Sequence, residues 1–383
     1  MRATTSRSSG LFITSFFGRL CCCEVLAGLI QQNRPGGSKS EEMKEKAIMP
    51  KACCEARPII IVGSPRSGTT LLRLMWNAHP GVIMPHECPF MYELYPKYAS
   101  VDHLTKTHID QFLDDLFLVK DCAVLKLDRD SLLERLISLE NPDYAHVIDA
   151  VYREFASRHG KHDARWGDKH TQFIMHMPEI ISLFPNARFI HIVRDGRAVV
   201  SSMLKTKLGT YKLPNGRAYN SNQPISAAKL WAYSVQLGSA EGARMGPEKY
   251  LEIKYENLIL EPETVCKNMC HFVGEAFSEA MLDTQSRKEC SFIPQHKQAR
   301  WHTNIGKDLV KSRVNRWREE LDRHNIVVVE YLAGRVLDRY GYERIISKRR
   351  LLESARLLIS IVLHTPLEVY RRMKRRVCLM LQS

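Results

Sequence analysis

One strand–turn–helix unit constrains this chain more than any other feature. Pro58-Ile59-Ile60-Ile61-Val62-Gly63 is a short β-branched run without polar alternation, which is how a strand buried on both faces of a parallel sheet reads. Thr69 to Ala78 reads as a helix, with Leu71, Leu72, Met75 and Trp76 on its apolar side. Between them lies Gly63-Ser64-Pro65-Arg66-Ser67-Gly68-Thr69-Thr70. A short turn into a helix N-terminus gathers backbone N–H groups and the positive end of the helix dipole, so it favours a bound anion. The Gly-x₄-Gly spacing matches a P-loop, but Thr69 stands where a nucleotide-hydrolysing loop carries lysine. That lysine reaches the transferred phosphate in such enzymes. Here the cation of the loop is Arg66, ahead of the second glycine.

The same alternation continues downstream. Residues 106–119, 131–139, 143–159 and 172–183 read as helices, with a short strand from Trp166 to Lys169. Ala187-Arg188-Phe189-Ile190-His191-Ile192-Val193 is a second clear strand, and a helix begins near Asp195. Helices over 225–243 and 262–273 flank a strand from Tyr250 to Lys254. Strands alternating with helices predict an α/β fold, a central parallel sheet flanked by helices, and the Gly-x₄-Gly turn after its first strand makes the expected fold P-loop-containing nucleotide hydrolase-like. The simplest partition is a leader and linker over 1–57, one domain over 58–345 and a tail over 346–383.

Charge bears on the partners. The 383-residue chain carries a net +14, but segments 1–57 and 344–383 hold +4 and +8, leaving +2 on 58–343. A near-neutral middle argues against a nucleic-acid-binding face. The tail places Arg371, Arg372, Lys374, Arg375 and Arg376 among Val369, Met373, Val377 and Leu379, a pattern that suits a membrane-surface helix over 350–383 or a solvated basic face. The apolar stretch 11–30 is interrupted by Arg19 and Glu24. Two such charges cost about 5–7 kcal/mol, which offsets the insertion of its Leu, Ile, Phe and Val residues, so the segment is a poor membrane anchor. It reads as a disordered leader or a targeting segment, and association with a Golgi or cytoplasmic membrane face is expected over a freely soluble protein. The 11 cysteines are scattered, and Cys266 and Cys270 have no partner pair at metal-ligand spacing. No metal is expected.

Two segments carry a resemblance to a known family. Pro65-Arg66-Ser67-Gly68-Thr69-Thr70-Leu71 resembles the 5′-phosphosulfate loop of sulfotransferases that use 3′-phosphoadenosine 5′-phosphosulfate (PAPS). Val193-Arg194-Asp195-Gly196-Arg197-Ala198, followed by Ser202, resembles their 3′-phosphate motif. The pattern is most similar to the protein-tyrosine sulfotransferase type and covers roughly 58–342. The resemblance implies sulfonate transfer from PAPS to an acceptor hydroxyl or amine, with Arg66, Ser67, Gly68, Thr69 and Thr70 on the phosphosulfate. It places Arg194 and Ser202 on the 3′-phosphate, Tyr255 on the nucleotide and Lys307 on a donor phosphate beneath a lid at 300–306. Glu87 becomes the expected general base, with Lys169 and Arg66 stabilising the transition state; His86 is the rival base.

Two departures from that type count. The cysteine preceding the catalytic glutamate in animal protein-tyrosine sulfotransferases is replaced by Pro85 and His86, and no cysteine flanks Lys169. The acceptor therefore stays open among protein tyrosine, carbohydrate, lipid and small molecules, with its pocket expected from 88–160 and 205–225. A P-loop nucleotide kinase and a non-catalytic nucleotide-binding membrane adaptor are the competing readings.

Overall fold

The computed structural model describes residues 54–293 and 311–346. Residues 1–53 of the expected leader and linker, the lid segment with Lys307, and the basic tail from 347 onward lie outside the described residues. Seven strands are described: β1 (Ile59–Val62), β2 (Val82–Ile83), β3 (Arg165–Lys169), β4 (Arg188–Val193), β5 (Thr210–Lys212), β6 (Ala218–Asn220) and β7 (Tyr250–Lys254). Five of them pair in parallel in the order β2-β3-β1-β4-β7, while β5 and β6 form a separate antiparallel hairpin. The main helices are α1 (Thr69–Ala78), α2 (Lys106–Leu118), α3 (Arg129–Ile137), α4 (Tyr144–Arg158), α5 (Met177–Leu183), α6 (Gly196–Thr206), α7 (Pro224–Met245), α8 (Tyr255–Leu260), α9 (Pro262–Val273), α10 (Thr284–Glu289) and α11 (Arg323–Arg339).

β1 runs through the middle of the sheet, and all four of its residues are fully buried. Its side chains alternate between two cores, as strand geometry requires. Ile60 and Val62 pack in the cluster that contains Val147, Ile148 and Val151 of α4. Ile59 and Ile61 pack in the cluster of Leu72, Met75 and Trp76 of α1 and Met269 of α9. A third cluster joins Val199 and Met203 of α6, Trp231 of α7 and Val329 of α11. Burying a strand on both faces is what its unbroken Ile-Ile-Ile-Val run allows.

Register decides where the chemistry can gather. Ile61 lies opposite Lys169 of β3, Val62 opposite His191 of β4, and Val193 opposite Lys254 of β7. The carboxyl ends of four neighbouring strands thus share one edge. From β1 the chain moves first toward β2 and β3, then to β4 on the other side, so the topological switch lies at β1. In open α/β sheets that crevice is where ligands bind.

The expected helix over 172–183 is instead two pieces, a 3₁₀ turn at Thr171–Met175 and α5. Pro178 cannot donate into a continuing helix and sits at the start of α5. β2, the β5–β6 hairpin and α11 are additional to the expected elements. Cys266 and Cys270 lie one turn apart in an apolar cluster, where burial pushes their thiols up to about 12 and about 11. Among the described residues no helix is long and apolar enough to cross a membrane.

Candidate active site

The turn after β1 is built around Gly68. Its φ is +103°, in the left-handed region, and a Cβ there would come within 2.5 Å of the Tyr255 ring. Only glycine meets both conditions without strain. Gly68 is also the N-cap of α1 and brings no side chain to its first-turn N–H groups. The hydroxyls of Ser64 and Ser67 are buried and find no partner among the described residues. Orphaned donors around a helix N-terminus are the form of an anion cradle.

Two arginines flank that cradle. Arg66 Nε donates to Ser202 Oγ at 3.0 Å, which joins the turn to α6. Arg194, at the end of β4, donates through Nη1 to the Arg66 carbonyl at 3.3 Å and stacks its guanidinium 4.2 Å from the Tyr255 ring centre. Its Nε is buried without a partner among the described residues. Burial, and then the neighbouring Arg194 charge, hold the Arg66 guanidinium below its ordinary value. Two cations drawn together in this way suit an anionic ligand. Trp231 is fully buried, and its indole N–H donates to the Arg194 carbonyl at 3.0 Å. The Asp195 amide donates to Glu256 Oε1 at 3.0 Å, and Arg197 donates to both Asp195 carboxylate oxygens.

Lys169 closes the other side. It is the last residue of β3 and is 1% exposed, yet its ammonium pairs with the carboxylate of Glu87. The same Nζ lies 3.4 Å from Thr70 Oγ1 at the start of α1. Asp168 is buried behind it, accepting from the Lys169 amide at 2.6 Å and from the Tyr152 hydroxyl. Burial pushes the Asp168 carboxyl up to about 7, against the lowering effects of Tyr152, the Lys169 amide and Arg73. His86 is buried at 4% exposed, whereas the Glu87 side chain keeps 28% of its surface.

The structure therefore brings Arg66, Ser67, Gly68, Thr69, Thr70, Glu87, Lys169, Arg194, Ser202 and Tyr255 to the carboxyl edge of the sheet. Residues that sequence reasoning passed over support them from behind, chiefly Arg73, Asn77, Asp168 and Glu256. Of the tyrosines at the expected acceptor pocket, Tyr98 is buried and donates to Asp115 Oδ2 at 2.5 Å. Tyr92 stacks on His176 at 4.8 Å between ring centres and lies 5.2 Å from His170, next to Lys169.

The profile of the sulfotransferase family matches residues 58–279, more than half of the chain. The chain belongs to the sulfotransferase family. A protein-tyrosine sulfotransferase of Drosophila melanogaster is 25% identical over 226 residues, 59% of this chain and 40% of that protein. Protein-tyrosine sulfotransferase 2 of Gallus gallus is 25% identical over 228 residues, 59% of this chain and 53% of that protein. The chain thus spans about half the length of these sulfotransferases or less. The solved sulfotransferase domain of an olefin synthase from Synechococcus PCC 7002 superposes with a TM-score of 0.52 at 20% identity, covering 76% of this chain and 98% of that domain. The fold is the sulfotransferase form of the P-loop α/β architecture, as the strand–turn–helix unit predicts.

Proposed function

We propose that this chain moves a sulfonate group from PAPS to an acceptor hydroxyl or amine by in-line displacement. The observation that carries the reading is the Lys169–Glu87 pair set beside Thr70 of the anion cradle. The residues fit a donor with two separate anionic groups. The hydroxyls of Ser64 and Ser67, without a partner among the described residues, and the α1 N-terminus suit the 5′-phosphosulfate; the Nε of Arg194, likewise without a partner among the described residues, and the hydroxyl of Ser202 suit the 3′-phosphate. Tyr255, already stacked on Arg194, borders both.

Glu87 accepts the acceptor's proton as the acceptor atom forms its bond to sulfur. The bond between sulfur and the donor phosphate oxygen breaks, and adenosine 3′,5′-bisphosphate leaves. Lys169 and Arg66 stabilise the charge that develops on the sulfonate and leaving oxygens. Burial of Lys169 strengthens that effect, because water does not screen it. Glu87 is favoured over His86 as base, since its carboxylate reaches the Lys169 ammonium and stays partly open. Protein tyrosine ranks first among acceptors, because the relatives carry that name; carbohydrate, lipid and small-molecule acceptors are arms of the same test. The +8 on 344–383 supports a further proposal, attachment to an anionic membrane surface, which loss of vesicle binding on deleting 350–383 would test.

Thermal unfolding with adenosine 3′,5′-bisphosphate, compared with ATP and Mg²⁺, tests the donor. Stabilisation by the bisphosphate is expected, and preferential stabilisation by ATP would overturn the reading in favour of a kinase. Transfer of labelled sulfonate to tyrosine peptides and the other acceptor classes then separates an enzyme from a binding-only adaptor.

A further inference from the structure

Arg73 and Asn77 lie one turn apart on α1, and both are fully buried. They share a stripe with Thr70, since positions 70, 73 and 77 fall on one helix face. Arg73 Nη1 donates to the carbonyls of Met84 at 3.1 Å and Pro85 at 3.2 Å. Its Nη2 donates to the Ser291 carbonyl at 2.6 Å. Asn77 Oδ1 accepts from the Met84 amide at 2.8 Å, and its Nδ2 donates to the Cys290 carbonyl. Both polar groups of Met84 are therefore held by α1, and so is the carbonyl of Pro85, two residues before Glu87. Lys161 fixes the intervening turn by donating to the carbonyls of Asn77, His79 and Val82 at 3.2, 3.1 and 2.8 Å.

This is a costly way to fill a core. A guanidinium without water must find donors' partners in fixed places, and a packed apolar side chain of similar size is often as stable or more so. Burial lowers the Arg73 guanidinium to about 10, with the Asp168 charge opposing. What the arrangement secures is geometry. α1 carries Thr70 beside Lys169 at one end and, three and seven residues on, grips the loop that delivers Glu87.

We propose that Arg73 and Asn77 are positioning residues: together they lock Met84 and Pro85 to α1 and so set Glu87 against Lys169 and the anion cradle. The kinetic consequence rests on the functional reading above; the geometric claim does not.

The test uses the full chain with Arg73→Lys and, separately, Asn77→Ala. Hydrogen exchange is expected to rise at residues 84–88 and 290–291 while β4 and α7 stay at their wild-type rates. In turnover, kcat should fall about 10–100-fold, the scale of a slightly misplaced catalytic group. The Kd for adenosine 3′,5′-bisphosphate should move by less than about threefold, a split that general destabilisation does not produce. In the E87Q background, Arg73→Lys should cost less than about twofold more, because the group it positions is already disabled. Unchanged exchange at 84–88, an equal rise throughout β4 and α7, or an undiminished effect of Arg73→Lys in the E87Q background would each overturn the proposal. A wild-type chain that neither binds the bisphosphate nor transfers sulfonate would strike the functional reading alone, leaving the exchange result to decide the clasp.

Discussion

The ammonium of Lys169 pairs with the carboxylate of Glu87, a residue 82 positions earlier in the chain, from a side chain that is itself 1% exposed. One comes from the end of a central strand, the other from a loop gripped by α1. The pair predicts opposite chemical roles with one shared signature. Glu87→Gln should lower kcat by about 10²–10⁴-fold, the usual weight of a general base. Lys169→Met should lower it by about 10²–10³-fold through lost charge stabilisation. Calorimetry should show the Glu87→Gln chain still binding adenosine 3′,5′-bisphosphate at close to the wild-type affinity. Normal turnover by that variant would transfer the base role to His86.

Donor affinity should instead answer to Arg194. A charge-assisted hydrogen bond contributes about 1.5–3 kcal/mol, so Arg194→Ala should weaken bisphosphate binding by about 10–150-fold. Arg194→Lys should rescue little of this, because an ammonium neither forks to a phosphate nor lies flat on Tyr255. Ser202→Ala removes one neutral donor and should cost about 1 kcal/mol. Titration calorimetry reads all three; an Arg194→Ala chain with wild-type affinity would remove that arginine from the donor site.

The parts legible in the sequence are those whose meaning is local. The cradle, the Arg194 motif and the strands that position them are each contained in a short run, and the parallel register then brings them together. The supporting layer has no such run. Arg73 meets the Ser291 carbonyl across 218 positions, and a carbonyl carries no residue identity for a pattern to detect. Arg197 meets Glu330 across 133 positions, so nothing local to either residue shows that the two pair until the helices pack. β2 leaves no mark in the sequence, because its two residues are too few to show a period.

Gly68→Ala should damage the cradle in two separable ways. The left-handed backbone costs a non-glycine residue about 1–2 kcal/mol. The added Cβ would also lie 2.5 Å from the Tyr255 ring. Thermal unfolding should fall by about 2–4 °C for each kcal/mol lost. In a Tyr255→Ala background the collision is absent but the backbone strain is not, so there Gly68→Ala should cost only the strain's share. No loss in that background would mean that the backbone at 68 is unstrained.

Asp168 predicts a pH dependence of stability. Burial raises its carboxyl from the ordinary 3.8 to about 7. Between those values the folded protein holds a proton that the unfolded chain has released. The group's contribution to stability is therefore greatest below 3.8 and declines as pH rises toward about 7. Urea unfolding of wild type and Asp168→Asn at about pH 5 and about pH 7.5 isolates it. Wild-type stability relative to the variant should drop at the higher pH; a difference independent of pH would show that Asp168 keeps its ordinary titration in the fold.

A buried ion network behind Arg194 makes the last prediction, and its sign depends on which partner is removed. Arg197 is 2% exposed; it donates to both oxygens of Asp195, to Glu330 Oε1 at 2.6 Å and to the Glu343 carbonyl at 2.8 Å, with its guanidinium 4.0 Å from the Trp317 ring centre. Glu330, fully buried, also accepts from the amides of Ile345 and Ile346 at 2.9 Å each. Removing one member of such a network leaves a desolvated charge, which costs about 3–5 kcal/mol. Arg197→Met strands two carboxylates and should be the most destabilising. Glu330→Leu strands two amides and leaves Arg197 paired with Asp195, so it should cost less. The double variant should be more stable than the sum of the two losses predicts, because the apolar pair replaces the ion pair. It should still fall short of wild type, since Asp195 remains buried without its arginine. Additive losses in urea unfolding would show that Arg197 and Glu330 do not depend on each other, and that Asp195 alone holds the arginine behind the Arg194 turn.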